Sequence, residues 1–92
     1  VDLKSSFADF SEKTAMSYSE QERAILIKLG NAIRERRKAK GWSQEELAFQ
    51  AGLDRTYIGS IERGERNIAA LNLVKIANVL GIRTAELLEE LG

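Results

Sequence analysis

The chain has 92 residues, of which 43% are apolar and 30% charged with no net formal charge; a core of that size buries only about 60% of the unfolded surface, which suits one small domain. It contains no Cys and no His, so disulfides, thiolate or imidazole zinc sites, and nucleophilic chemistry built on a Cys or His pair are excluded. No apolar run approaches the roughly 20 residues that cross a bilayer, and residues 1–22 are acidic rather than a basic flank before an apolar stretch, so a cytoplasmic location is expected.

Residues 1–18 (VDLKSSFADFSEKTAMSY) are expected to form a flexible arm, because Ser5, Ser6 and Ser11 dilute the apolar pair Phe7 and Phe10. Ser19-Glu20-Gln21-Glu22 is a capping box, in which the Ser19 oxygen accepts from the third helical amide and Glu22 reaches back. A helix starts there, and Leu26, Leu29, Ile33 and Arg37 share its inner face at spacings of three and four before Gly41 stops it. Ser43-Gln44-Glu45-Glu46 repeats the capping pattern ahead of a short helix with Leu47, Ala48 and Ala51 on its apolar side, ended by Gly52. Asp54 is a favoured N-cap for a third helix, with Tyr57, Ile58 and Ile61 able to face inward and Gly64 past its end. Leu71, Leu73, Val74, Ile76, Ala77 and Leu80 form a fourth helix, apolar over most of its girth and placed in the middle of the core, with Gly81 closing it. Thr84 caps a fifth, striped by Leu87, Leu88 and Leu91. There is no strand-period alternation, repeat or Pro, so residues 19–92 are expected to fold as an all-α domain of five helices.

Zero net charge argues against a nucleic-acid partner, because phosphate binding depends on Lys and Arg displacing counterions. The distribution argues otherwise. Residues 1–22 carry two bases and five acids (−3), residues 23–67 ten bases and six acids (+4), and residues 68–92 two bases and three acids (−1). Within the basic stretch, the second and third helices are separated by so few residues, one of them Gly, that they must meet steeply, at roughly 90–120°. This is the helix-turn-helix arrangement, which projects one side of its second helix; such a helix fits the B-DNA major groove, about 12 Å wide.

The stretch LGNAIRERRKAKGWSQEELAFQAGLDRTYIGSIERGERN, followed by LNLVKIANVLGI, resembles the phage-repressor (Xre-type) helix-turn-helix domain. Its I-R-x-x-R, G-x-S-Q-x-x-L-A, A-G and I-x-x-I-E-x-G motifs occur in order over about residues 25–91. Within that family LDRTYIGSIERGERN is most similar to the small controller proteins of restriction-modification systems, which bind operators as homodimers and regulate transcription. The resemblance implies a lambda-repressor-like fold and a sequence-specific, double-stranded DNA-binding transcriptional regulator. One departure is the segment before the fourth helix, where relatives often carry Pro-Ser and this chain has Ile68-Ala69.

The resemblance places base-reading side chains at Arg55 and Thr56, with Ser60 one turn on; an Arg donates two parallel bonds to guanine, and a Thr offers a hydroxyl or methyl. It places Gln44 against a phosphate at the start of the second helix, where Ser43 can assist while capping, and Arg66 and Asn67 on the sugar-phosphate backbone. Tyr57 can hold a phosphate through its hydroxyl, and Lys38 and Lys40 can reach phosphates from the end of the first helix. Arg37 and Glu62 occupy positions that pair in the family, and a partly buried Arg without a carboxylate would be costly, so a structural salt bridge is expected between them. Trp42 is expected to fill the core.

One helix in one groove gives few contacts, so a homodimer reading half-sites about 34 Å apart is expected, with Leu87, Leu88 and Leu91 as its interface. No metal, cofactor or small-molecule ligand is implied. A protein-interaction module such as an antitoxin could reuse the same fold, and the acidic first 22 residues would suit it. An enzyme is not supported, since Glu45-Glu46 and Glu89-Glu90 are neighbouring carboxylates on helix surfaces.

Overall fold

The computed structural model describes residues 18–92, so the expected arm lies outside the described residues except for Tyr18. Among the described residues there are five helices and no strand: α1 (Glu20–Ala39), α2 (Gln44–Ala51), α3 (Arg55–Glu62), α4 (Ala70–Leu80) and α5 (Thr84–Glu89). None is long and apolar enough to cross a membrane.

The starts follow from short-range hydrogen bonding. Ser19 Oγ accepts from the Glu22 amide and the Glu22 carboxylate accepts from the Ser19 amide, both at 3.0 Å, which completes the capping box of α1. At α2 only half of it forms: Ser43 Oγ accepts from the Glu46 amide at 3.0 Å, while the Glu46 carboxylate accepts from Gln50 Nε2 at 2.6 Å. Asp54 Oδ1 caps α3 by accepting from the Thr56 amide at 2.7 Å. The start of α4 has no capping side chain of its own. Tyr57 Oη supplies one from α3, accepting from the Ala69 amide at 3.4 Å and from Asn72 Nδ2 at 3.0 Å, and so answers the missing Pro-Ser. The cap of α5 is a correction: Arg83, not Thr84, is the N-cap, and Glu86 Oε1 accepts from its amide at 2.8 Å.

Leu29 and Ile33 of α1, Leu47 of α2, Ile58 and Ile61 of α3, Leu73, Ile76 and Leu80 of α4, and Leu87 of α5 meet in one core. Each fully buried aliphatic side chain contributes roughly 1.5–3 kcal/mol. Two expectations fail here. Helix α4 is not wrapped by core, since Leu71 is 75% exposed and Val74 also faces solvent. Leu87 is completely buried within its own domain, Leu91 packs partly against the same core, and only Leu88 stands out at 45% exposure. Leu87 therefore belongs to the monomer rather than to an interface.

Helix α1 passes the C-terminal end of α3 at backbone distance. A Cβ on Gly30 would collide with the Ile61 carbonyl oxygen and lie 2.8 Å from that of Glu62, so only Gly permits the approach.

Candidate nucleic-acid interface

Gly52, Leu53 and Asp54 join α2 to α3. Gly52 takes the left-handed conformation (φ 70°, ψ 36°) that an L side chain resists, and the Leu53 amide then donates to the Ala48 carbonyl at 2.9 Å. Leu53 packs against the core and fixes the turn from inside. With Ile58 and Ile61 buried on its inner side, α3 presents Arg55 and Thr56 to solvent in its first turn.

The other end of α3 is clamped. Arg37 Nε donates to Glu62 Oε2 at 2.7 Å and Arg37 Nη2 donates to Glu62 Oε1 at 2.8 Å, a two-pronged geometry matched to the planar guanidinium. Gln44 Nε2 donates to Glu62 Oε1 at 3.0 Å, and Arg34 Nε stands 3.5 Å from the same oxygen. Arg37 Nη1 donates to the Trp42 carbonyl at 2.7 Å, tying in the α1–α2 connection. Burial pushes the Glu62 carboxyl up, but the bonds from Arg37 and Gln44 and the charges of Arg37 and Arg34 outweigh it and hold the group below the ordinary carboxylate value. The Glu62 bond in turn raises the Arg37 guanidinium further above its usual value. The pair is 25 residues apart in sequence and joins α1, α2 and α3 at one carboxylate.

Around this frame the remaining candidates divide. Ser43, Lys38, Lys40, Arg66 and Asn67 are exposed, and Gln44 is half-buried with one amide proton committed to Glu62. Trp42 packs partly against the core with Lys40 Nζ 4.9 Å from its ring centre. Tyr57 spends its hydroxyl oxygen on Ala69 and Asn72, and the Arg66 guanidinium lies 5.5 Å from its ring, so Tyr57 organises the loop that carries Arg66 and Asn67. Ser60 is a correction: it is 7% exposed and its hydroxyl donates to the Tyr57 carbonyl at 2.8 Å, so it does not face a groove.

Two residues were not singled out from the sequence. Arg34 is the first Arg of the I-R-x-x-R motif, three positions before Arg37 and hence on the same helix face, and that motif was the available signal for its role. Arg63 caps the C-terminal end of α3 and donates from Nε to Glu65 Oε2 at 3.0 Å. Its hydrogen bond holds the Glu65 carboxyl below the ordinary value.

The helix-turn-helix family profile matches residues 33–87. A hypothetical transcription factor of Neisseria meningitidis is 57% identical over 49 residues, 53% of this chain, although that match spans only 46% of the relative's length. The crystal structure of the restriction-modification controller protein C.AhdI from Aeromonas hydrophila superposes with a TM-score of 0.68 at 53% identity, covering 70% of this chain and 97% of that one. The controller protein C.Esp1396I, solved as a tetramer in complex with its natural 35 base-pair operator, superposes with a TM-score of 0.66 at 39% identity, covering 73% and 88%. With most of its described helices inside the matched span and the turn geometry in place, the chain belongs to the helix-turn-helix family of DNA-binding regulators.

Proposed function

We propose that this protein is a sequence-specific double-stranded DNA-binding transcriptional regulator of the restriction-modification controller type, binding a two-half-site operator as a homodimer. The observation that carries the reading is the exposed first turn of α3, where Arg55 and Thr56 project from a helix whose opposite end is locked to the body through Glu62. Rigid support of this kind holds base-reading groups in register. Arg55 addresses a guanine edge in the major groove and Thr56 its neighbour. Ser43 and the first-turn amides of α2, with Lys38, Lys40, Arg66 and Asn67, take backbone phosphates and set the protein's position without choosing sequence. Tyr57 steadies the loop through the two bonds its hydroxyl oxygen accepts, and its hydroxyl proton remains to donate to a phosphate. Two similar proteins solved in complex with DNA, one of them on its natural 35 base-pair operator, support the DNA-binding reading.

Leu88, together with the exposed Leu71 and Val74 of α4, supplies apolar surface for a second copy to cover. Selection of bound sites from random duplex DNA tests the whole reading. A recovered motif of two inverted half-sites, centred about 34 Å apart or at a multiple of that spacing, is the expected result. Recovery of no motif, together with binding that is indifferent to salt, would overturn it.

A further inference from the structure

Arg55, Gly59 and Arg63 follow one another at intervals of four, so they form a single row along α3. The first member is exposed, the second has no side chain and is buried, and the third stands exposed at the helix's C-terminal cap. Helical side chains lean toward the N-terminus, and Arg63 does so: its Nη1 lies 3.2 Å from the point where a Cβ on Gly59 would stand. Gln44 Oε1 lies 3.4 Å from the same point. The guanidinium thus lies between the row that begins at Arg55 and Gln44 at the start of α2. Four residues of helix put Gly59 about 6 Å along the axis from Arg55, within the span of one groove.

The group is also weakly held. Arg63 and Glu65 have side chains 53% and 47% exposed, and exposed pairs of this kind contribute little. A phosphate oxygen is a stronger acceptor site for the same donors, with a full charge and a geometry that suits the guanidinium fork.

We propose that Arg63 is a further DNA-binding residue: its guanidinium, which lies over the buried backbone of Gly59, contacts a backbone phosphate at the lip of the groove that α3 enters, and Glu65 occupies its Nε until DNA displaces it. The proposal rests on the DNA-binding reading given above. A phosphate rather than a base edge is the target because the side chain lies flat along the helix beside Gln44 instead of standing off it.

The test uses the full chain and two duplexes of equal length, one recovered from a random-pool selection and one unrelated in sequence, with affinity read by fluorescence anisotropy over a range of salt. Arg63→Ala should weaken both duplexes by a similar factor, about threefold to tenfold, and lower the salt slope by about one per protomer. Glu65→Gln should tighten binding about twofold to fivefold, and most of that gain should vanish when Arg63 is already Ala, as coupled partners require. Unchanged affinity and salt slope in Arg63→Ala would overturn the proposal. So would a loss confined to the selected duplex, which would make Arg63 a base reader, or a Glu65→Gln gain that persists undiminished without Arg63. Absence of salt-dependent DNA binding by the unmodified chain would instead bring down the functional reading itself, and this proposal with it.

Discussion

At its C-terminal end α3 carries Glu62, 1% exposed and bonded to Arg37 and Gln44; at its N-terminal end it carries Arg55 and Thr56 in solvent, with the Asp54 carboxylate accepting from the Thr56 amide. Among the described residues the ion pairs are Arg34–Glu62, Arg37–Glu62 and Arg63–Glu65, and Arg55 belongs to none of them. Charged groups on the same eight-residue helix therefore have opposite consequences. Where a carboxylate is dehydrated and multiply bonded, it couples three helices and its loss is felt by the fold. Where a guanidinium stays hydrated and unpaired, its interactions remain available to a ligand and its loss is felt by binding.

The contrast breaks most visibly at Glu62. Glu62→Ala leaves Arg37 buried without its partner and should destabilise the domain by about 3–5 kcal/mol, read as a lower denaturation midpoint; an unchanged midpoint would mean that the clamp carries no weight. Acid sharpens the same point. Because the folded Glu62 carboxyl lies below its ordinary value of about 4.3, its stabilisation is fully present above that pH and is lost as pH falls through the lower folded value. Glu62→Gln should remove this share of the acid sensitivity, so a stability titration below about pH 4.3 should be flatter in the variant than in the parent.

At the other end the expected effect is smaller and of another kind. Arg55→Ala should cost about 1–3 kcal/mol of operator affinity and relax one base position per half-site, while the denaturation midpoint stays within about 0.5 kcal/mol of the parent. Uniform weakening on every sequence would reassign Arg55 to the phosphates. Tyr57→Phe lies between the two ends. Removing the hydroxyl leaves the Ala69 amide and Asn72 without their acceptor, at a cost of about 0.5–1.5 kcal/mol. Hydrogen exchange at the Ala69 amide should quicken in that variant, and an unaltered exchange rate would show that the loop is held by other means.

What was legible in the sequence was set by short-range chemistry or by electrostatic necessity. Ser19, Ser43 and Asp54 cap helices because their oxygens reach amides two or three residues on, a bond that depends on little else. Arg37 and Glu62 were matched across 25 residues through the family resemblance, whose paired positions they occupy, and the cost of a buried charge without a partner pointed the same way. What was not legible depends on which surfaces other elements cover. Ser60 is hydroxylated and one turn beyond Thr56, yet it follows Gly59 toward the buried side and gives its proton to a backbone carbonyl. Leu71 and Leu87 have the same side chain, but one is three-quarters exposed and the other fully enclosed, a difference of helix placement that apolar composition does not contain. Thr84 and Arg83 exchanged roles because Glu86 satisfies the amide ahead of the helix without help from a hydroxyl.

The missing side chain at Gly30 has a consequence for how such a protein changes its target over time. Because α1 and α3 touch main chain to main chain there, the seam offers no room for compensating adjustment and its residues must drift together or not at all. The solvent-side turn that begins at Arg55 shares none of those contacts, so new operator preferences can arise by exchange of one or two residues there while the scaffold behind them stays constant.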